Sequence, residues 1–289
     1  MDPLASVIIP AFNMQSCIGA AVQSALSQDI SDIEIVIASD DGLDYLAILA
    51  EQNICDSRLR CELTGCHGGG AAKARNTALK AARGRLIVVL DADDLLKPQA
   101  LKKILPLALC HGAAYSSIER VRFSDGLALS NCNRVLPQGL LGLEDILTSS
   151  IQNMAWLAFD RSRVPDLNYL ETIPVWEDLV FLAQCCDRLG KIYYLPDQLY
   201  IYRQREGSLC NRPEAAHEFY DWAQHLLKLL IAQDSILQCS LDTRSILIRF
   251  FKHRCFVEQQ FVAAMAEQRY SDYLDFMRQN LDLFYSLPA

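Results

Sequence analysis

Arg85-Leu-Ile-Val-Val-Leu-Asp91-Ala-Asp93-Asp94 is the stretch on which the fold turns. An apolar, β-branched run reads as a strand buried on both faces, and this one stops abruptly at three carboxylates. Like charges packed that closely repel one another unless a cation sits among them. In open α/β sheets the carboxyl end of a strand is also where ligands bind. Hard oxygen ligands suit Mg²⁺ or Mn²⁺, and Mg²⁺ is commonly held by one or two carboxylates plus substrate phosphates. The stretch thus reads as a metal–phosphate site, with a solvated acidic turn before the helix that follows Pro98 as the alternative.

Outward from this strand, the same alternation recurs. Upstream lie a strand at Ser6–Pro10, a helix at Ser16–Ser27 and a strand at Ile33–Ala38 that closes on Ser39-Asp40-Asp41-Gly42. A helix at Leu43–Glu51, a strand at Arg58–Leu63 and a helix at Ala71–Arg83 follow. Strand and helix alternating in this way predict a parallel, doubly wound sheet with helices on both faces. After His111 the character changes. Ala113–Phe123 and Leu127–Val135 read as strands joined by the turn Ser124-Asp125-Gly126, an Asp-Gly hairpin signal. Met154–Phe159 is a further short strand, Glu177–Leu189 a helix, and Lys191–Leu195 and Leu199–Arg203 two more strands. Three helices are expected over 214–233, 241–266 and 270–284. The expected fold class is α/β, Rossmann-like, with a mixed central sheet and a C-terminal helical extension, divided at 1–110, 111–209 and 210–289.

Composition narrows the function classes. The 289 residues are 51% hydrophobic and 21% charged, an ordinary globular balance. The net charge is −8 with no strongly basic segment, which argues against nucleic acid as a partner. No apolar run approaches the roughly 20 residues that span a bilayer. The start, Met1-Asp2-Pro3-Leu4, lacks a basic n-region, so no secretory signal is expected. Eleven cysteines in apolar contexts fit a reducing cytoplasm. Cys55, Cys61, Cys66 and His67 lack the paired spacing of a zinc site.

Several loops carry groups that suit a nucleotide. Pro10-Ala11-Phe12-Asn13 would form a lip holding a flat base, and Asp40 would accept from a base N–H or a ribose hydroxyl; ordinary turn chemistry accounts for both equally well. Gly68-Gly69-Gly70 opens the helix bearing Lys73, Asn76, Lys80 and Arg83 on one face; it either breaks structure before that helix or lets backbone amides meet a pyrophosphate, and the helix's basic face supports the second. Arg75 lies in that helix's first turn, against the helix dipole, so an anion or a carboxylate neighbour is expected beside it. Trp176-Glu177-Asp178 starts a helix after Pro174. Its carboxylates either cap that helix or supply a general base, with the tryptophan stacking on a sugar. Tyr202-Arg203-Gln204-Arg205-Glu206-Gly207-Ser208 would bring guanidinium groups onto phosphate oxygens.

Together these stretches resemble family 2 glycosyltransferases of the GT-A fold. The match is ordered: residues 6–13, 34–42, 68–76, 85–94, 176–178 and 202–208, covering roughly 5 to 209. The resemblance implies an inverting enzyme moving one sugar, hexosyl or N-acetylhexosaminyl, from a nucleotide-diphosphate donor to a hydroxyl acceptor, with UDP first among nucleotides. The segment 1–110 would bind the nucleotide-sugar and 111–209 the acceptor. Pro10, Ala11, Asn13 and Asp40 would surround the nucleotide, with Lys73, Arg75, Asp91, Ala92 and Arg205. Asp93, with Asp91, would ligate Mn²⁺ or Mg²⁺, and Asp178 would be the base. Trp176, Glu177 and Trp156, with Asn153, would lie on the acceptor or sugar side. The acceptor would be a glycan or a lipid-linked saccharide in cell-surface polysaccharide synthesis, reached from the cytoplasm at the inner face of the membrane. Peripheral membrane contact through Ile246–Arg254, packing of that helix on the catalytic lobe, and a homodimer all stay open, with packing favoured because the wider segment is net acidic. The membrane-embedded processive synthases add transmembrane helices and a Gln-x-x-Arg-Trp motif, absent here. A sugar-nucleotide pyrophosphorylase would need a basic glycine-rich loop after the first strand, and a non-catalytic nucleotide-sugar-binding relic is the other alternative.

Two departures stand out. This chain has Ser39-Asp40-Asp41-Gly42 where many relatives carry Asp-Asp-Gly-Ser, which favours Asp40 over Asp41 for the base. It has Arg205 where many have a histidine. Arginine cannot ligate a metal but can grip a phosphate, so a weaker metal site is expected, with Arg205 supplying compensating charge.

Overall fold

The strands β1 (Ala5–Ala11), β2 (Ile33–Ser39) and β4 (Leu86–Val89) are apolar at nearly every position, because both of their faces are covered. Successive side chains point to opposite faces. Val7, Ile9, Ile35, Ile37 and Val88 face Ile18 and Val22 of helix α1 (Ile18–Leu26), whereas Ile8, Val36, Ile87 and Val89 face Ala74 and Ala78 of helix α3 (Ala71–Ala81). The small alanines let α3 lie close on the sheet. The computed structural model describes residues 2–129, 136–148, 156–205, 207–208, 215–234, 237–270 and 273–284.

Helix α2 (Tyr45–Glu51) leads to β3 (Leu59–Leu63), which pairs parallel with β2, and β1 pairs parallel with both β2 and β4. Beyond β4 the sheet turns antiparallel through β8 (Ala158–Asp160), which also pairs with β6 (Ala113–Arg122). β6 runs parallel to β9 (Ile192–Gln204), which pairs with β5 (Leu95–Leu96), so the described strand order is β3-β2-β1-β4-β8-β6-β9-β5, a mixed sheet. The site lies where the connections from β1 reverse direction, at the carboxyl ends of β1, β2 and β4, the usual ligand position in such sheets. Helices α4 (Ala100–His111) and α6 (Glu177–Leu189) follow the sequence reading closely.

Several elements differ from the sequence expectation. The two strands expected over 191–203 are one, β9. Its register against β6 jumps between Leu195 and Gln198, so Pro196 and Asp197 bulge out of the ladder. Proline has no amide to give a ladder, and the break seen in sequence is that bulge. The strands β5 (Leu95–Leu96) and β7 (Gly139–Leu141) and the helix α5 (Leu143–Leu147) are too short to produce a readable period. The expected strand Leu127–Val135 amounts to one bridge, Val121 to Ala128, over its described part, and 130–135 lie outside the described residues, as does the start of the expected Met154–Phe159 strand. The last expected helix divides into α9 (Tyr273–Gln279) and α10 (Leu281–Phe284).

Helices α7 (Ala215–Ile231) and α8 (Leu241–Ala266) pack on the α3 side of the sheet. Leu226, Leu230, Leu247, Phe250 and Phe251 join the same apolar cluster as Ile8 and Phe181. The apolar residues Leu247, Phe250 and Phe251 of the Ile246–Arg254 stretch are therefore spent on packing against the sheet and α6. No described helix is long and apolar enough to cross a membrane.

Candidate active site

Beyond β4 the chain turns at Asp91, whose carbonyl accepts from the Asp94 amide, and the three carboxylates separate in role. Asp94 is buried; Tyr200 donates its hydroxyl to one oxygen at 2.7 Å and the Arg203 amide donates to the other at 2.8 Å. Burial, then Asp93 and Asp91, push its carboxyl well above the usual range. Asp91 accepts from Arg75 at 3.0 Å. Asp93, raised by burial and then by Asp91, stands 3.6 Å from Arg205 Nε. Arg203 donates from Nε to the Asp93 carbonyl at 2.5 Å and stacks 4.7 Å over Phe123.

Whether these residues fit a divalent cation follows from what each carboxylate already does. Among the described residues no three His, Cys, Asp or Glu side chains come together as a protein-built cage. Asp94 is taken up by Tyr200 and Arg203, and one oxygen of Asp91 by Arg75. Asp93, with the second oxygen of Asp91, offers hard donors suited to a small cation whose other ligands are diphosphate oxygens and water. The donor set fits a cation completed by substrate.

The neighbouring loops differ from expectation in one respect. Asp40 is 2% exposed, and its carboxylate accepts from the Gly70 amide at 2.8 Å and from Thr64 Oγ1 at 2.8 Å. It fastens the glycine loop to the end of β2, with both oxygens engaged there. Gly70, with φ of +96°, is where that loop turns into α3, a conformation glycine adopts without strain. Asp41 takes the outward place. It accepts from the Asn13 amide at 2.7 Å, Tyr45 hydroxyl at 2.8 Å and Ser39 Oγ at 3.0 Å. Burial opposes its ionisation, but these bonds hold its carboxyl below the ordinary range. The Pro10–Asn13 lip is thereby tied down, with Ala11 buried, Pro10 half-buried, and Phe12 edge-on to His67. Lys73 lies half-buried in the first turn of α3, and Ala92 is buried in the β4 turn.

The residues expected on the acceptor side meet this assembly through Arg75. Its buried guanidinium donates to Asp91 at 3.0 Å and to Glu177 at 2.8 Å, and lies 5.3 Å over the Tyr169 ring. The expected anion beside Arg75 is thus a pair of carboxylates, one from β4 and one from α6. Burial pushes the Glu177 carboxyl up, and the adjacent Asp178 adds to this against the pull of Arg75. Asp178 is half-buried and likewise raised, by burial first, with Arg75 opposing. One oxygen of Asp178 accepts from the Leu179 amide at 2.7 Å.

Trp156 is a correction. It is 2% exposed, donates Nε1 to Ser116 at 2.8 Å, and packs 5.0 Å from Tyr200, so it is core beneath the site and offers no surface to an acceptor. Its isolation in sequence gave no sign of this. Trp176 is half-buried, with Phe219, Phe250 and Phe251 around its ring. Asn153 lies outside the described residues. Tyr169 and Tyr200 had no local signal at all, since each acts across a long separation in the chain.

Known proteins share both sequence and shape with this chain. Residues 6–135 match the model for "Glycosyl transferase family 2". The succinoglycan biosynthesis protein ExoO of Rhizobium meliloti (strain 1021) is 30% identical over 220 residues, 72% of this chain and 62% of the relative. WfgD of Escherichia coli, a UDP-Glc:alpha-D-GlcNAc-diphosphoundecaprenol beta-1,3-glucosyltransferase, is 35% identical over 114 residues, 39% of this chain and 44% of its own. The chain thus spans less than two thirds of the length of these relatives. The crystal structure of S. aureus TarS 1–349 in complex with UDP-GlcNAc superposes with a TM-score of 0.69 at 20% identity, over 89% of this chain and 73% of that one.

Proposed function

We propose, from the premise that this chain belongs to glycosyl transferase family 2 and has the GT-A fold, that it is an inverting glycosyltransferase of cell-surface glycan synthesis. The observation that carries this reading is the bridge from Asp91 through Arg75 to Glu177. It joins a carboxylate at the strand end suited to a nucleotide-sugar with the helix start that bears Asp178. A donor site and a base are then held at a fixed separation by one guanidinium.

The acceptor hydroxyl gives its proton to the Asp178 carboxylate as its oxygen attacks the anomeric carbon, and the bond from that carbon to the diphosphate breaks on the opposite face. A raised pKa makes Asp178 a stronger base than an exposed aspartate. Glu177, held by Arg75, fixes the helix start. Asp93 and Asp91 would hold Mn²⁺ or Mg²⁺ together with the diphosphate, and the cation supplies Lewis-acid neutralisation of charge growing on the leaving group. Arg203 and Arg205 add cationic charge from the end of β9, and the Asn13 lip anchored by Asp41 would border the base. A UDP-sugar is the favoured donor, in keeping with the UDP-linked sugars bound or used by TarS and WfgD, and a lipid-linked saccharide is the acceptor class in keeping with WfgD.

The test is calorimetry with UDP, GDP, TDP and CMP, with and without Mn²⁺, followed by turnover of the matching sugar nucleotide by wild type and Asp178→Asn. One nucleotide should bind more tightly with metal, and Asp178→Asn should bind it normally while losing on the order of 10²–10⁴-fold in turnover. Full turnover in Asp178→Asn, or no binding of any nucleotide, would sink the reading.

A further inference from the structure

Trp176 holds φ at +72°, a left-handed conformation that costs a bulky residue on the order of 1–3 kcal/mol and persists only where the surroundings impose it. Those surroundings come from the C-terminal helices. The indole ring meets Phe219 of α7 and Phe250 and Phe251 of α8 edge-on, at 5.4, 6.2 and 6.0 Å, and Nε1 donates to the Phe219 carbonyl at 3.5 Å. Over the ring, at 4.9 Å, lies the guanidinium of Arg254 from α8, which is also 4.9 Å from the Phe284 ring of α10. Arg254 is 5% exposed, and its fork donates to Glu258, one turn on, which is fully buried. Burying a charged pair among aromatic rings is a poor way to gain stability, since a well-packed apolar pair is often as good or better. Its placement has another use. The Trp176 carbonyl accepts the first bond of α6, from the Val180 amide at 3.0 Å, so the setting of Trp176 is also the setting of Glu177 and Asp178.

We propose that Arg254 is a positioning residue. By clamping Trp176 in its left-handed conformation, it sets the start of α6 and so the aim of Asp178. The C-terminal helices are then a working part of the acceptor side. The catalytic half of this inference rests on Asp178 acting as the base; the mechanical half rests on the contacts alone.

The experiment uses the full chain with Arg254→Lys and with the double variant Arg254→Met/Glu258→Gln, which removes both charges so that neither is left buried alone. Hydrogen exchange should rise on the order of tenfold at amides 180–182 of α6 in the double variant, with β1 and α3 unchanged, and less in Arg254→Lys. Hydrolysis of UDP-glucose or UDP-GlcNAc should fall in kcat by up to about 10²-fold, the loss expected of a base misplaced by about an ångström, while the Kd for UDP is unchanged. Arg254→Lys, which keeps the cation over the ring, should recover part of that loss, and it carries the test if the double variant does not fold. Unchanged exchange at α6, or UDP affinity falling in step with kcat, would overturn the proposal. Coupled exchange in a protein whose wild type turns over none of these sugar nucleotides would overturn the transferase reading and leave the clamp standing.

Discussion

Glu177 and Asp178 are adjacent carboxylates with one counter-cation between them and the donor side. Arg75 favours their ionised forms, and burial opposes it. As the proposed base, Asp178 has to be deprotonated, so turnover should rise with pH through a limb lying above the ordinary aspartate value of 3.8. Replacing Arg75 by methionine removes the group that lowers the Asp178 pKa, so the limb should move to higher pH; a pH–rate profile that stays in place would show that Arg75 does not act on the base. The same change leaves Glu177 buried without its partner, and denaturant unfolding should show a loss of about 3–5 kcal/mol. On the opposite side of the site, Arg205 neutralises Asp93 at 3.6 Å. Arg205→Ala should raise the concentration of Mn²⁺ needed for half-maximal nucleotide binding, read by titration. Equal metal dependence and equal affinity in the variant would reduce Arg205 to a loop residue.

At the scale of elements, the ends of β1 and β2 opposite the site are tied by one buried carboxylate. Glu34 accepts from Ser6 Oγ at 2.7 Å and from the Arg83 amide at 2.6 Å, and pairs with Arg60 and Arg83. Burial alone would raise its pKa, but these bonds outweigh it and hold the group at about 2, against an ordinary 4.5. A depressed folded-state value stabilises the fold fully above 4.5, and that contribution fades as the pH falls from 4.5 toward 2. It amounts to about 3 kcal/mol by the usual conversion of pKa shifts. Glu34→Gln should therefore be less stable at neutral pH and show a flatter loss of stability between pH 4.5 and 2; a wild-type slope there would show that the network is not responsible. Close by, Gly84 lets the chain entering β4 pass so near β1 that a Cβ would fall 2.5 Å from the Ala5 carbonyl carbon.

For the whole molecule, the C-terminal helices share one apolar cluster with the sheet, through Phe250, Phe251 and Leu247. Phe251 is fully buried, and truncating it to alanine should cost about 3–5 kcal/mol in a single cooperative unfolding transition. A separate early transition for α7 and α8 would show that they are stable apart from the sheet. Such a transition would also weaken the case for the Arg254 clamp, which needs α8 seated while the site works.

What the sequence determined by itself was the order of the elements and the points where carboxylates leave them. Ile33–Ser39, Leu86–Val89 and Glu177–Leu189 were legible because hydrophobic period and chain breaks are local properties, written in contiguous residues. The family motifs were legible for the same reason, since each lies within a single turn between strand and helix. Tertiary structure alone decided which of two adjacent aspartates turns inward: Asp40 meets Gly70, thirty residues on, and Asp41 meets Asn13, twenty-eight residues back. It decided that Trp156 lies under Ser116, that Asp94 meets Tyr200 106 residues away, and that Arg75 meets Glu177 across 102. A side chain's partner at such separations follows from which strands lie side by side once the sheet closes, and no local pattern encodes that order.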